Sequence, residues 1–149
     1  MIRIENLHLT YRSTHGDVHA VRGVNIDIES GCFYTLLGPS GCGKTTTLRC
    51  VAGLERPTSG RITVGDQVVY SAEDGIAVAS YDRNIGMVFQ SYAIWPHMDV
   101  FENVAFPLRR GRARLGQAEL QERVAEVLEL LGLETMADRP VTTLSGGQQ

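Results

Sequence analysis

One eight-residue stretch, Gly38-Pro39-Ser40-Gly41-Cys42-Gly43-Lys44-Thr45, constrains this chain more than any other feature. It fits the pattern G-x-x-x-x-G-K-[ST] at every fixed position. The apolar run Phe33–Leu37 before it predicts a buried strand, and the residues from Thr45 onward predict a helix that ends at Gly53. A glycine-rich loop between a strand and a helix is the arrangement that binds phosphate groups.

Each residue type in this loop has a physical role in holding phosphate. Glycines let the backbone curl so that successive N–H groups point inward, and the helix start adds partial positive charge. Lys44 would supply a full charge to the β- and γ-phosphates, and the Thr45 hydroxyl would bind Mg²⁺. The sequence predicts a nucleoside triphosphate site formed by Gly38, Pro39, Ser40, Gly41, Cys42, Gly43, Lys44, Thr45 and Thr46. The alternative is a glycine-rich turn that only opens a structural helix.

Composition narrows the class of protein further. The chain has 149 residues, of which 43% are hydrophobic, and this is compatible with one globular domain. A net charge of −3 argues against a broad nucleic-acid surface, and no apolar run is long enough to span a membrane. The charged start Met1–Glu5 does not resemble a signal peptide. The chain has three cysteines, an odd number, which predicts free thiols in a reducing cytosol. Neither the cysteines nor the four histidines have the spacing of a metal site.

Hydrophobic alternation predicts several strands around the loop. Residues 2–11 and Val24–Ile28 alternate apolar and polar residues, as half-buried strands do. Arg61–Val64 and Gln67–Tyr70 predict a hairpin closed by Gly65-Asp66. Residues 71–84 are polar and irregular, which predicts a surface loop.

The second half of the chain favours helices. Asp99 and Glu102 form a capping-box pattern at the start of a helix from Val100 to about Leu108. From Gln117 to Leu131 the apolar residues form one stripe, which we interpret as core packing rather than a cofactor site. The members of the stripe are Leu120, Val124, Val127, Leu128 and Leu131.

The last residues, Leu144-Ser145-Gly146-Gly147-Gln148-Gln149, resemble the L-S-G-G-Q signature motif of ATP-binding cassette (ABC) ATPases. Ile85–Gln90 is similar to the strand that ends in the Q-loop glutamine of that family, and Gly53–Gly60 to the stretch after its phosphate-loop helix. Tyr11 stands where the family has an adenine-stacking aromatic residue. The resemblance covers the whole chain.

The resemblance implies an α/β fold of the P-loop NTPase class, ABC type, with a mixed sheet, an antiparallel β subdomain and a helical subdomain. Residues 1–90 would form the β subdomain and phosphate-loop core, and residues 91–149 the Q-loop and helical subdomain up to the signature motif. We expect the chain to be an N-terminal fragment of a longer subunit, truncated before the Walker B strand. Since that strand and later residues carry the family's aspartate, glutamate and histidine for hydrolysis, negligible ATP turnover is expected from these 149 residues alone.

The family's functional residues map onto this sequence as follows. Tyr11 would stack on adenine, although a tyrosine at a strand end can also be plain packing. Lys44 and Gln90 would be catalytic, and Thr45 and Gln90 would bind Mg²⁺. In a head-to-tail dimer the signature residues would meet the ATP held by the second ATPase subunit, and these residues are Ser145, Gly146, Gly147 and Gln148.

The closest likeness within the family is to ATP-binding subunits of bacterial importers for iron(III), polyamines, sulfate or phosphonate. It rests on Phe89–Ala93, Pro96–Met98 and Glu102–Ala105. Such a subunit couples ATP binding and hydrolysis to solute import and lies peripherally on the cytoplasmic face of the inner membrane. Residues 92–98 would dock on the transmembrane permease subunits, with a periplasmic solute-binding protein as an indirect partner.

Four alternatives stay open at this point. A soluble ABC ATPase acting on DNA or ribosomes would share the motifs, and residues 92–98 could be buried within their own domain. A P-loop kinase would leave Gln90 and the signature residues unexplained. The arginine-rich run 109–114 could bind nucleic acid or anionic lipid, but we favour a solvated surface and expect no nucleic-acid partner.

Overall fold

A computed structural model of the chain describes residues 1–14, 16–91, 93–110 and 115–148, with Arg110 described by its backbone only. The chain divides into two compact units, Met1–Met87 and Val88–Gln149. Each unit has its own hydrophobic core. Across the described residues, no helix combines the length and the apolar character needed to cross a membrane.

The first unit is built on a five-stranded antiparallel sheet in the order β2-β1-β3-β4-β5. Strand β1 lies between β2 and β3, and its Leu7 and Leu9 side chains are buried because alternate residues of a strand point to the same face. The strands are β1 (Ile2–Tyr11), β2 (Val18–Ile28), β3 (Ser59–Val64), β4 (Gln67–Ser71) and β5 (Ile76–Ala77).

The predicted strands at residues 2–11 and 24–28 and the hairpin at Gly65-Asp66 are confirmed. Strand β2 begins at Val18, earlier than predicted, because Val18 pairs with Tyr11 and the ladder continues to the end of β1. The prediction of an irregular loop over residues 71–84 is partly wrong. Strand β5 lies within it, since Ile76 pairs with Ser71 across a turn in which Asp74 accepts a hydrogen bond from the Ser71 hydroxyl.

Helix α1 (Lys44–Ala52) follows the phosphate loop as predicted. Thr47 and Cys50 lie on its buried face. The helix ends at Gly53, whose φ of 77° allows its N–H to reach the carbonyl oxygens of the last turn.

Two predicted strands are absent. Phe33–Leu37 has no regular secondary structure, and its Phe33 and Leu37 side chains are 97% and 95% exposed. Residues 85–90 likewise form no strand, and Val88 is 98% exposed. A strand is stabilised by backbone hydrogen bonds to a neighbour, and within the described residues neither segment has one. The described sheet is therefore antiparallel throughout, without the parallel part of the expected mixed sheet.

The second unit packs helix α2 (Val100–Arg110) against helix α3 (Gln117–Leu130). The predicted capping box is confirmed: the Glu102 N–H donates to Asp99 Oδ1 at 2.7 Å, and the Asp99 N–H to Glu102 Oε2 at 3.4 Å.

The apolar stripe on α3 is only partly buried. Leu120, Val124 and Leu128 lie in the core, as predicted, whereas Val127 and Leu131 are 42% and 61% exposed. The three buried residues are spaced four apart and so share one line along the helix. Val127 lies beside that line and is therefore less buried. Leu131 follows the last helical residue and lines a partly open pocket with Val100 and Val104 of α2.

Candidate functional site

The phosphate loop has a backbone that strongly favours glycine at two points. Gly41 and Gly43 have φ values of 81° and 92°, a region that residues with a side chain rarely adopt. A Cβ atom at Gly43 would also overlap the backbone oxygen of Ala20 on β2. At Gly38 an added Cβ would lie 2.9 Å from Cys42 Sγ. The loop is thus curled tightly against both its own residues and the sheet.

The side chain of Lys44 bonds to the backbone of this loop. Its ammonium donates to the carbonyl oxygens of Gly38 at 2.8 Å and Pro39 at 2.7 Å, and lies 3.5 Å from Cys42 Sγ. An ammonium has three N–H donors, and a thiol sulfur is a weak acceptor. A phosphate oxygen would therefore replace the sulfur favourably as the third partner.

The start of α1 adds to the positive character of the loop. The first turn of the helix contains no acidic residue, so no carboxylate offsets its partial positive charge. Thr45 is exposed and Thr46 half-buried, as residues that meet a ligand from solvent can be. The described geometry brings all predicted residues from Gly38 to Thr46 together in one loop and one helix turn.

Thr47 has a role that the sequence analysis missed. Its hydroxyl donates to the Gly43 carbonyl oxygen at 2.9 Å, and its backbone N–H donates to the same oxygen at 2.8 Å. Both bonds hold the last loop residue onto the helix. A threonine four residues after the glycine is the signal, since threonine hydroxyls bond to the carbonyl of residue i−4.

Tyr11 lies at the end of β1, beside the first turn of α1. Burial is the main cause that raises the pKa of Tyr11, the Glu55 carboxylate raises it further, and a hydrogen bond with Thr46 lowers it. The phenol is therefore neutral at pH 7 and is placed next to a predicted site residue. With 40% of its surface exposed, the side chain keeps a face open to a ligand.

Gln90 and the signature residues belong to the second unit. Gln90 is exposed and lies in a segment without regular structure. Ser145 is held by Gln148, whose Oε1 accepts from the Ser145 N–H at 3.1 Å and from its hydroxyl at 3.0 Å. The first of these bonds is one half of a capping box. Gln149 lies outside the described residues.

The segment predicted to dock on membrane subunits is ordered around Trp95; its first residue, Tyr92, lies outside the described residues. The Trp95 ring is 46% exposed and packs against Phe106, with ring centroids 5.3 Å apart. The Asn103 side chain accepts from the Trp95 N–H at 2.8 Å and donates to the carbonyl oxygens of Trp95 and Asp99. Sequence reasoning missed Asn103, because an asparagine within a helix gives no signal that it bonds to a preceding loop.

The sequence of this chain is similar to sequences of known proteins. A family model described as ABC transporter matches residues 21–149. The chain is 52% identical over 134 residues to the trehalose/maltose import ATP-binding protein MalK of Thermococcus litoralis, covering 90% of this chain and 36% of that protein. It is 47% identical over 148 residues to the spermidine/putrescine import ATP-binding protein PotA of Thermobifida fusca, covering 99% and 36%. The chain thus spans little more than a third of the length of these curated relatives.

Solved structures show the same relationship. The ATP-binding cassette MJ0796, in a dimeric post-hydrolysis state bound to ADP and Pi, matches with a TM-score of 0.84 and 30% identity, covering 99% of this chain and 65% of that one. The cbiO1 protein of Clostridium perfringens matches with a TM-score of 0.72 and 29% identity, covering 99% and 56%. An α/β cassette fold and a family match over most of the sequence agree with each other. The chain belongs to the ABC transporter family.

Proposed function

We propose that this chain contributes the ATP-binding core of an importer subunit, which couples ATP binding and hydrolysis to solute import. The observation that carries the proposal is the loop over residues 38–46. Gly41 and Gly43 have left-handed backbone conformations there, and the Lys44 ammonium bonds to the carbonyl oxygens of Gly38 and Pro39. In this proposal residues 1–90 would form the β subdomain and phosphate-loop core, and residues 91–149 the Q-loop and helical subdomain. The division lies within three residues of the boundary between the two compact units at Met87 and Val88. The names of the relatives support an import role, since each describes an import ATP-binding protein.

The donor set fits a nucleoside triphosphate with Mg²⁺. Lys44 would bind the β- and γ-phosphates, and Tyr11 would stack on the base. Bound Mg²⁺ would neutralise charge on the phosphate oxygens. Thr45 and Gln90 would hold the ion with their side-chain oxygens, which are the ligand type that Mg²⁺ prefers.

A second copy of the subunit would complete the site. Ser145, Gly146, Gly147 and Gln148 form a short exposed turn in which Gln148 fixes the serine. Small residues and backbone N–H groups are suited to approach a phosphate closely. The dimeric state of the similar MJ0796 cassette supports a pair of copies. A head-to-tail arrangement of the two would bring the signature residues of each copy to the ATP held by the other.

The membrane partner would bind at Trp95. A partly exposed aromatic ring held by a fixed loop is a typical anchor of an interface. The protein would lie peripherally at the cytoplasmic face of the inner membrane, in contact with permease subunits. A periplasmic solute-binding protein would deliver the solute to these subunits. The import names of the relatives favour this assignment over a soluble ATPase acting on DNA or ribosomes.

Replacing Trp95 and Met98 with serine is expected to uncouple transport while sparing ATP binding. Loss of an interface anchor costs about 2 kcal/mol or more, which weakens docking roughly 30-fold. Solute uptake into vesicles containing the reconstituted transporter would measure the first effect, and Mg·ATP titration the second. The matched control is Tyr81→Ser, which removes an exposed aromatic ring from the first unit. Native uptake by the Trp95/Met98 variant would contradict the assignment of this surface.

A bulky thiol reagent is expected to block nucleotide binding through Cys42. Cys42 and Cys32 are exposed, whereas burial, with a contribution from Glu55, raises the pKa of Cys50 to about 11 and keeps its thiol unreactive near pH 7. An adduct at Cys42 would occupy the curl beside Lys44. ATP titration after labelling with a maleimide tests this in a Cys32→Ser background, and Cys42→Ser is the resistant control. Unchanged ATP affinity after complete labelling of Cys42 would refute it.

A further inference from the structure

Arg83 is the one charged side chain that is buried among the described residues, with 5% of its surface exposed. Its guanidinium donates three hydrogen bonds to backbone carbonyl oxygens. Nε donates to Val78 at 2.9 Å, and Nη1 to Cys50 at 2.7 Å and Val51 at 2.9 Å. A buried cation is costly unless its donors are paired. These bonds use three of the five N–H donors of the guanidinium, and no buried side-chain nitrogen or oxygen among the described residues lacks a hydrogen-bond partner.

Two of the three acceptors belong to the last turn of α1. Carbonyl oxygens at the end of a helix lack partners within the helix and carry its partial negative charge. A cation there forms charge-assisted hydrogen bonds and also interacts favourably with the helix dipole. Arg83 therefore caps α1 from a position more than thirty residues later in the chain.

Gly53 makes room for this cap. A Cβ atom at Gly53 would lie 2.5 Å from Arg83 Nε and 2.8 Å from its Cζ. The glycine thus serves both the left-handed turn that ends α1 and the close approach of the guanidinium. We call the pair Gly53 and Arg83 the α1 clasp.

The opposite end of α1 carries the phosphate-binding groups. The helix has nine residues, so it is a rigid rod of about 13.5 Å that transmits a shift or tilt from one end to the other. Lys44 is its first residue, and Thr47 fastens Gly43 onto it. Any loosening of the clasp would therefore move the ammonium and the loop with respect to a bound phosphate.

We propose that Arg83 is a positioning residue for phosphate binding. It would act by fixing the C-terminal end of α1, so that Lys44 and Thr45 at the other end keep their positions relative to the phosphate loop. The inference rests on the proposed binding of Mg·ATP. Arg83 would act without touching the phosphates, because its guanidinium bonds to the backbone of Val78 and to that of Cys50 and Val51, at the end of the helix opposite Lys44.

The test compares Arg83→Gln and Arg83→Lys by Mg·ATP titration, in the protein at its natural length and at a temperature where circular dichroism shows each variant folded. Substitution of residues that act on a site without touching its ligand weakens binding by up to roughly 30-fold, and we expect roughly 10-fold weaker binding for Arg83→Gln. We expect about 3-fold weaker binding for Arg83→Lys, since an ammonium keeps the charge but cannot hold the three carbonyl groups in one plane. If Arg83→Gln does not fold, the lysine variant decides, and native affinity in it would overturn the proposal.

The control for a merely structural role is Val69→Ala, which opens a cavity in the core of the same unit. It is expected to lower the melting temperature while leaving ATP affinity unchanged. Arg83 variants that lose stability like Val69→Ala but bind ATP like the native protein would overturn the positioning role. Failure of the native protein to bind Mg·ATP would overturn the proposed function, and this inference with it. Native ATP affinity in the Arg83 variants would overturn only the role of Arg83.

Discussion

A Gly43→Ala protein is expected to lose both Mg·ATP binding and much of the stability of its first unit. The new residue would have to adopt a φ of 92°, which costs about 1–2 kcal/mol for a residue with a side chain. Its Cβ would in addition overlap the Ala20 oxygen, and a strand backbone cannot move aside as a side chain can. The free energy of unfolding should fall by roughly 3 kcal/mol or more in total. Denaturant unfolding without ligand and Mg·ATP titration measure the two effects.

Gly41→Ala separates backbone strain from steric overlap. Gly41 has a similar φ of 81°, but an added Cβ would meet no atom within 4 Å. Its loss of stability in the absence of ligand should therefore stay near 1–2 kcal/mol, the cost of the left-handed conformation alone. Equal losses for the two variants would show that contact with β2 does not constrain the loop.

Lys44→Ala is expected to weaken Mg·ATP binding by roughly 10- to 150-fold, because hydrogen bonds to charged groups contribute about 1.5–3 kcal/mol. The same change removes the two bonds to Gly38 and Pro39, so the ligand-free loop should also open. Isothermal titration with Mg·ATP checks the first effect. Faster hydrogen exchange over residues 38–43 checks the second.

Arg49→Ala is the matched control for Lys44→Ala. It removes one positive charge from the same helix, but its side chain is about half exposed and pairs only loosely with Glu55 at 3.9 Å. Binding within about twofold of the native affinity is expected, since an exposed ion pair of this kind contributes less than about 1 kcal/mol. If both substitutions weakened binding equally, net charge rather than the placed ammonium would account for the effect.

Those parts of the fold that obey local rules could be predicted from the sequence. The capping box at Asp99, the two-residue hairpin turn at Gly65 and the glycine end of α1 each depend on residues within one turn of the chain. Phe33–Leu37 could not be predicted in the same way. Its composition suits a strand, but whether a strand forms depends on a hydrogen-bonded neighbour elsewhere in the chain.

For the candidate site, the motif predicted the phosphate loop but not what supports it. Arg83 and Asn103 act by donating to backbone carbonyl groups, and every residue offers such a group, so no pattern of side chains marks the pair. Thr47 is the exception, because its spacing from Gly43 is visible in the sequence. The placement of Gln90 and Ser145 at the phosphates of bound ATP stays a prediction.

Helix α1 is bounded by a left-handed glycine on each side, Gly43 and Gly53, and each glycine is pressed against another part of the unit. One inserted or deleted residue between them would rotate the far end of the helix by about 100°. Cys50 and Val51 would then leave the core, and their carbonyl oxygens would turn away from Arg83. We therefore expect this stretch to tolerate the exchange of one amino acid for another at several positions but no change in its length.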